Sequence, residues 1–242
     1  MHRFFVAPQA INGDQAIITG EDVQHISRVL RLGPGSEVTL CDGAKQEYAA
    51  RIVSVEPNQV VFNVISASLS QREPRCAVTL YQGMPKAGKL ETIIQKCVEL
   101  GVSRIVPVDA GRSVAKPEEK DFLKKLPRYQ RVAYEAAKQS RRGVIPEVMG
   151  LTRLQNVDFS QYDLILLAYE DENKTTLKET LRKHGGASNI ALIVGPEGGF
   201  ASEEVEMLSG VGAISVSLGP RILRTETAGM AMLAMTLYEL EM

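Results

Sequence analysis

The sequence predicts a two-part chain, a β-rich N-terminal region followed by an α/β region built on a mostly parallel sheet. Two observations lead there. Residues 1–70 carry short Val/Ile-rich runs, partly alternating and separated by Gly, Pro and Asn turns, as short strands of a β domain do. Beyond residue 75, continuous apolar runs alternate with amphipathic helical patterns. Alternation of that type gives a parallel sheet with helices on both faces.

Taken in order, "SEVTLCDG", "EYAARIVSVEP" and "QVVFNVISA" are the strands expected in the first region. "EDVQHISRVLRLGPG" precedes them as a short helix, with Asp22 placed to cap it and Gly33-Pro34-Gly35 to end it. The polar stretch "SLSQREPR" (68–75) reads as a linker, which puts the boundary at Glu73 and the domains at 1–72 and 73–242. "CAVTLYQG" is then a strand. "KLETIIQKCVELG" sets Leu90, Ile93, Ile94 and Cys97 on one helical face and stops at Gly101. "SRIVPVD" is a strand, and 121–140 a helix with Tyr129, Val132, Ala133 and Ala136 on one face. "DLILLAYE" and "NIALIVG" are apolar throughout, as strands covered on both faces tend to be. Between them "TTLKETLRKHG" is a helix with a capping box from Thr176 to Glu179. Ser202 is expected to cap a short acidic helix, "AISVSL" is the last strand, and 226–241 form the final helix.

Composition narrows the function classes. Lys+Arg total 28 against 29 Asp+Glu in 242 residues, a net charge of −1. No global basic excess advertises nucleic acid, so a phosphate-rich partner must meet a local patch. Cys41, Cys76 and Cys97 follow no C-x-x-C spacing and have only three His beside them, so no metal site is expected. Isolated thiols fit a reducing compartment, and a cytoplasmic location is expected. The start lacks the apolar core of a signal peptide, and "AGMAMLAMTLY" is far short of a membrane span.

Two turns carry the chemistry. "IVGPEGGF" (193–200) follows one apolar strand and "LGPRILRTETA" (218–228) follows the last. Both therefore sit at the carboxyl ends of strands in an open parallel sheet, where ligands bind. Neither matches a P-loop or a G-x-G-x-x-G dinucleotide fingerprint. A plain tight turn explains the glycines of the first stretch but does not require Arg221, Arg224 and Glu226 in the second.

The combination of GPEGG(F) with LGPRILRTETA resembles the C-terminal signature of RsmE-type 16S ribosomal RNA methyltransferases, members of the SPOUT superfamily. The resemblance extends over nearly the whole chain. "HISRVLRLGPG…DG" (25–43) is similar to the start of the family's N-terminal domain, "KAGKLETIIQKCVELGV" (86–102) to its basic helix, and "RSV" (112–114) to the run after it. "EAAKQSRRGVIPEV" (135–148) resembles a run that normally reads Q-S/C-G-R, with Arg141 standing where the family has glycine.

The resemblance implies a PUA-like β-barrel that binds RNA, then a SPOUT domain with a C-terminal trefoil knot at about residues 190–230. It implies a homodimer that uses S-adenosylmethionine to methylate N3 of a uridine in 16S rRNA of the small ribosomal subunit. The cofactor is carried over to three loops, with backbone groups of Leu167, Gly195 and Leu218 meeting adenine and ribose, and Pro196, Glu197, Gly198 and Gly219 beside them. Ile222 and Leu223 wall the adenine. Uridine N3 must lose a proton to attack, and an Arg beside the flanking carbonyls stabilises the charge that develops. Arg224 and Arg142 are the candidates. Glu226, with Glu197, either orients these arginines or accepts the proton. Arg28, Arg31, Lys86 and Lys89 supply charge for RNA phosphates, Lys96 adding to them. The alternative is a non-catalytic RNA-binding ribosome assembly factor of the same fold.

Overall fold

In the computed structural model, which describes residues 2–86 and 88–241, the chain clusters into two units. One comprises Met1–Glu73 and Ala137–Ile145, the other Pro74–Ala136 and Pro146–Met242. The stretch Ala137–Ile145, placed in the second domain by the sequence reading, thus belongs with the first unit.

The first unit holds six strands, β1 (His2–Phe5), β2 (Ile11–Asn12), β3 (Gln15–Thr19), β4 (Glu37–Cys41), β5 (Gln46–Val55) and β6 (Gln59–Leu69), in the order β1-β4-β5-β6-β3-β2. β1 runs parallel to β4 and every other pairing is antiparallel. Successive side chains alternate across a strand, so Val38 and Leu40, Ala50 and Ile52, and Val60 and Phe62 all reach one core together with Phe4 and Ile18. Each such Phe, Leu or Ile contributes about 1.5–3 kcal/mol by leaving water.

The helix expected in this unit is shorter than its sequence pattern. α1 (Glu21–Gln24) continues only as a π turn over His25–Val29, and Asp22 lies inside its first turn. Gly20 occupies the cap position and has no side chain to cap with, while the Asp22 carboxylate is engaged by Lys138 Nζ at 2.9 Å. The reversal falls at Arg31, which takes the left-handed conformation (φ 52°), before the glycines at 33 and 35. The expected linker is also more ordered than its composition. Leu69 completes β6, and Glu73 is buried against Arg142, with Oε2–Nη2 at 2.6 Å. The other Glu73 oxygen accepts from the Gly143 and Val144 amides. Arg141, at the family's glycine position, has φ 61°.

The second unit is a parallel sheet of β7 (Ala77–Gly83), β8 (Arg104–Val108), β9 (Glu147–Val148), β10 (Leu164–Ala168), β11 (Asn189–Val194) and β12 (Ile214–Val216), in the order β12-β10-β11-β7-β8-β9. Its helices are α2 (Lys89–Leu100), α3 (Glu119–Gln139, whose last turn enters the first unit), α4 (Leu177–Lys183), α5 (Ser202–Gly210) and α6 (Thr225–Glu241). Tyr81, Val106, Leu167 and Ile193 face one side with Phe200 and Leu208 of the α5 region. Leu80 and Gln82 face the other, where Gly229 of α6 comes so close that a Cβ would lie 2.9 Å from Gln82 Oε1. The sheet is therefore covered on both faces, which is why its strands are apolar throughout.

Two caps differ in detail. Thr176 Oγ1 accepts from the Glu179 amide as expected, but the Glu179 carboxylate accepts from the Thr176 hydroxyl in place of the Thr176 amide. Ser202 is the first residue of α5 and Ala201 its cap. Glu204 takes the capping role by accepting from the Ala201 amide at 2.8 Å and the Gly111 amide at 2.9 Å.

Candidate functional site

The carboxyl ends of β10, β11 and β12 lie side by side, Ala168 being in register with both Val194 and Val216. A cavity of about 670 Å³ opens where these three chains leave the sheet. That volume lies within the range of small-molecule sites. Its walls come from three loops, namely Ala168–Glu170, the turn after β11, and the segment from Ser217 into α6. Lys86 and Lys89, ahead of and at the start of α2, complete it.

Backbone proximity and hydrogen bonds hold these loops in place. Gly83 ends β7 directly against the turn: a Cβ there would lie 2.4 Å from the Pro196 nitrogen. Gly199 has φ 68°, a left-handed conformation that lets the turn reverse without strain. The first residue of α6 ties both special stretches together. Thr225 Oγ1 donates to the Gly195 carbonyl at 2.5 Å and accepts from Gln82 Nε2 at 2.8 Å. Gln82 is fully buried in β7, so the turn, the last helix and the sheet share one polar chain.

Charge at the rim is organised around Lys89. Its Nζ lies 3.1 Å from Glu197 Oε1 and 3.0 Å from Glu226 Oε2. Hydrogen bonding to Glu226 and then to Glu197 raises the Lys89 pKa above its ordinary value. Burial works against ionisation of both carboxylates. Even so, Glu197 is held below the usual range by its own amide, the Lys86 amide and Lys89, and Glu226 by its own amide, Lys89 and Arg224. Arg224 is exposed on the cavity wall. Among the described residues no carboxylate lies within salt-bridge distance of it.

The structure gathers most of the residues singled out from the sequence. Gly195, Pro196, Glu197, Leu218, Gly219, Ile222, Leu223, Arg224, Lys86 and Lys89 all line the cavity. Ile222, expected as an adenine wall, is 82% exposed. Others lie elsewhere. The Leu167 side chain is in the core, its backbone, the part expected to meet the cofactor, leading into the cavity-lining Ala168, and Gly198 faces the Arg112 carbonyl, which a Cβ would meet at 2.8 Å. Glu226 stands beside the cavity, holding Lys89. Arg142 is in the first unit, its guanidinium committed to Glu73. Arg28 and Arg31 are exposed in the first unit, and Lys96 pairs with Glu99. Tyr169, Glu170 and Ser217 line the cavity without having been singled out. The acidic run after "LILLAY" was the available signal for Glu170.

Comparison with known proteins places this arrangement in a class. An RNA methyltransferase domain model matches residues 71–237, and an RNA methyltransferase PUA domain model matches residues 18–65. The chain is 35% identical to ribosomal RNA small subunit methyltransferase E of Bacillus subtilis, over all of this chain and 98% of that protein. It is 30% identical to the protein of the same name from Mycobacterium tuberculosis, over 93% and 87%. A crystal structure of the Neisseria gonorrhoeae ribosomal RNA small subunit methyltransferase E bound to S-adenosyl methionine superposes with a TM-score of 0.84. The identity is 28% over 98% of this chain and 97% of the other. The fold and the site thus define an RNA methyltransferase. The chain belongs to the ribosomal RNA small subunit methyltransferase E family.

Proposed function

We propose that the protein methylates N3 of a uridine in 16S rRNA of the small ribosomal subunit, using S-adenosylmethionine. The observation that carries this reading is the cavity at the ends of β10, β11 and β12, which mere RNA binding does not need. Its residues fit the cofactor. Val194, Val216, Leu218 and Leu223 offer apolar walls for a base, and Glu170 offers an acceptor for ribose hydroxyls or an ammonium group. When bound, the cofactor supplies an electrophilic methyl group on sulfonium.

The protein's own part is positioning and electrostatics. The Thr225–Gly195 hydrogen bond fixes the cavity floor against the start of α6. Arg224, which makes no salt bridge among the described residues, stabilises negative charge on the uracil oxygens as N3 loses its proton. Glu197 and Glu226 are poor bases for that proton, because their own amides and Lys89 lower their affinity for it. Their role is to orient Lys89 at the rim. Arg142 serves the first unit's structure through Glu73.

The first unit is read as a PUA-like barrel that docks RNA through exposed Arg28 and Arg31. The segment after β11 is read as a trefoil knot. In support, β12 pairs with β10 and not with the preceding β11, before α6 returns over β7. A homodimer is supported by Met235 and Tyr238, 39% and 65% exposed on α6. A cytoplasmic site of action follows from the ribosomal substrate, and among the described residues no helix is long and apolar enough to cross a membrane.

The test pairs two measurements. Calorimetric titration should detect S-adenosylhomocysteine and not ATP. Labelled methyl transfer to small-subunit RNA should yield N3-methyluridine on nucleoside mass spectrometry. No binding, or label on another atom, sinks the reading.

A further inference from the structure

A second cavity, of about 440 Å³, lies at the other side of Lys86 in the same unit. The two cavities share Lys86 as a wall. Nothing in the proposed methylation mechanism uses the second one.

Its construction combines a greasy floor with a cationic rim. Met84, Leu90, Phe122 and Tyr129 are buried and line it. The Phe122 and Tyr129 rings are 5.5 Å apart and inclined at 40°. Lys86, Lys116 and Lys125 are exposed around it. The only carboxylate among its lining residues, Glu91, is already neutralised by Arg128 at 2.9 Å. The local balance is therefore three lysines in excess, although the whole chain is slightly acidic. Burial, with the nearby Glu91 charge, raises the Tyr129 pKa, so its hydroxyl stays protonated.

We propose that this cavity receives a nucleotide flanking the methylated uridine, with Lys116 and Lys125 neutralising its phosphates while the base covers the apolar floor. The inference rests on the RNA methylation proposed above and extends it to the path of the strand. Apolar and aromatic surface rimmed by lysines is how proteins hold single-stranded RNA without reading much sequence. The shared Lys86 makes the two cavities consecutive stations for one polymer, which a free anion would not need. Lys116 and Lys125 are exposed, so replacing them leaves the core untouched and removes only the exposed hydrogen bond from Lys116 Nζ to the Gly111 carbonyl at 3.0 Å.

The experiment measures RNA affinity of the full-length protein against salt, using small-subunit RNA containing the target uridine. Lys116→Ala combined with Lys125→Ala should weaken binding on the order of tenfold. Loss of two phosphate contacts should flatten the log K against log salt slope by about 1.4. The methylation rate at saturating RNA and the affinity for S-adenosylhomocysteine should stay at wild-type values. The double variant Lys120→Ala, Lys124→Ala removes the same charge from exposed pairs with Glu118 and Asp121 on the same segment. It should bind as the wild type does. An unchanged slope in the first variant overturns the proposal, and so does an equal loss in the second, since the effect would then be overall charge. Failure of the unmodified protein to bind or methylate RNA overturns the underlying reading as well, and is seen without any substitution.

Discussion

The hydroxyl of Thr225 donates to the carbonyl of Gly195 across 30 residues of chain, at 2.5 Å. Its lone pair is taken by the buried Gln82 amide. Thr225→Val keeps the shape but leaves the Gly195 carbonyl without this donor and one Gln82 N–H unpaired, the other still donating to the Gly83 carbonyl, at about 1–3 kcal/mol for a buried group left unpaired. Urea denaturation should register that loss, and calorimetry a weaker S-adenosylhomocysteine affinity. Thr225→Ser, which keeps the hydroxyl, should restore most of both. Equal stability of the valine variant would show that the hydrogen bond is not what holds the turn.

Arg224 separates chemistry from binding. If it stabilises charge only as N3 attacks, Arg224→Ala keeps near-normal affinity for cofactor and RNA. Single-turnover methylation should nevertheless fall on the order of a hundredfold, as for one lost oxyanion-type donor. Lysine should recover little, lacking the planar fork. A wild-type rate in the alanine variant would make Arg224 a structural residue.

The Lys89 cluster sets a pH window. Glu197 and Glu226 have lowered pKa values in the fold, so their contribution is present above the ordinary carboxylate range and lost as pH falls through the lowered values. Lys89 is raised, so its contribution holds below the ordinary lysine value and is lost as pH rises past the raised one. The cluster's contribution to folding stability should therefore be level between about pH 5 and pH 9. In Lys89→Met burial acts on the carboxylates without the opposing cation, and the acid limb should move to higher pH. Urea denaturation of both proteins across that range reads the shift, and coincident acid limbs would dismiss the coupling.

Arg141 is an opportunity to stabilise the protein. At φ 61° an arginine pays for a Cβ that glycine lacks. Arg141→Gly should raise stability by about 0.5–1 kcal/mol after the added freedom of the unfolded chain is subtracted. Chemical denaturation measures it, and a loss would mean that the Arg141 side chain makes a compensating contact.

The parallel sheet was legible because Leu164–Ala168 and Asn189–Val194 are buried on both sides and so carry no polar alternation. The cavity was legible for a related reason, since glycine, proline and charge interrupted the chain where those strands end. What escaped was set by partners distant in sequence. Nothing near Asp22 or Glu73 announces that Lys138 and Arg142 will claim them. β1 and β2 are too short for a periodic signal, and they exist because β4 and β3 accept them. Thr225 was in a quoted motif, yet its role depends on Gln82, 143 residues away.

The return of Ala137–Ile145 to the first unit has a consequence for biosynthesis. Chains emerge from the ribosome N-terminus first, and domains usually fold in that order. Here Glu73 must wait for a guanidinium 69 residues downstream, and Asp22 for an ammonium group 116 residues downstream. A nascent segment ending near residue 73 keeps the Glu73 carboxylate hydrated, because burying it unpaired costs about 3–5 kcal/mol. The leading unit is thus sealed only after β7, α2, β8 and α3 have been translated, and its maturation lags behind its own synthesis.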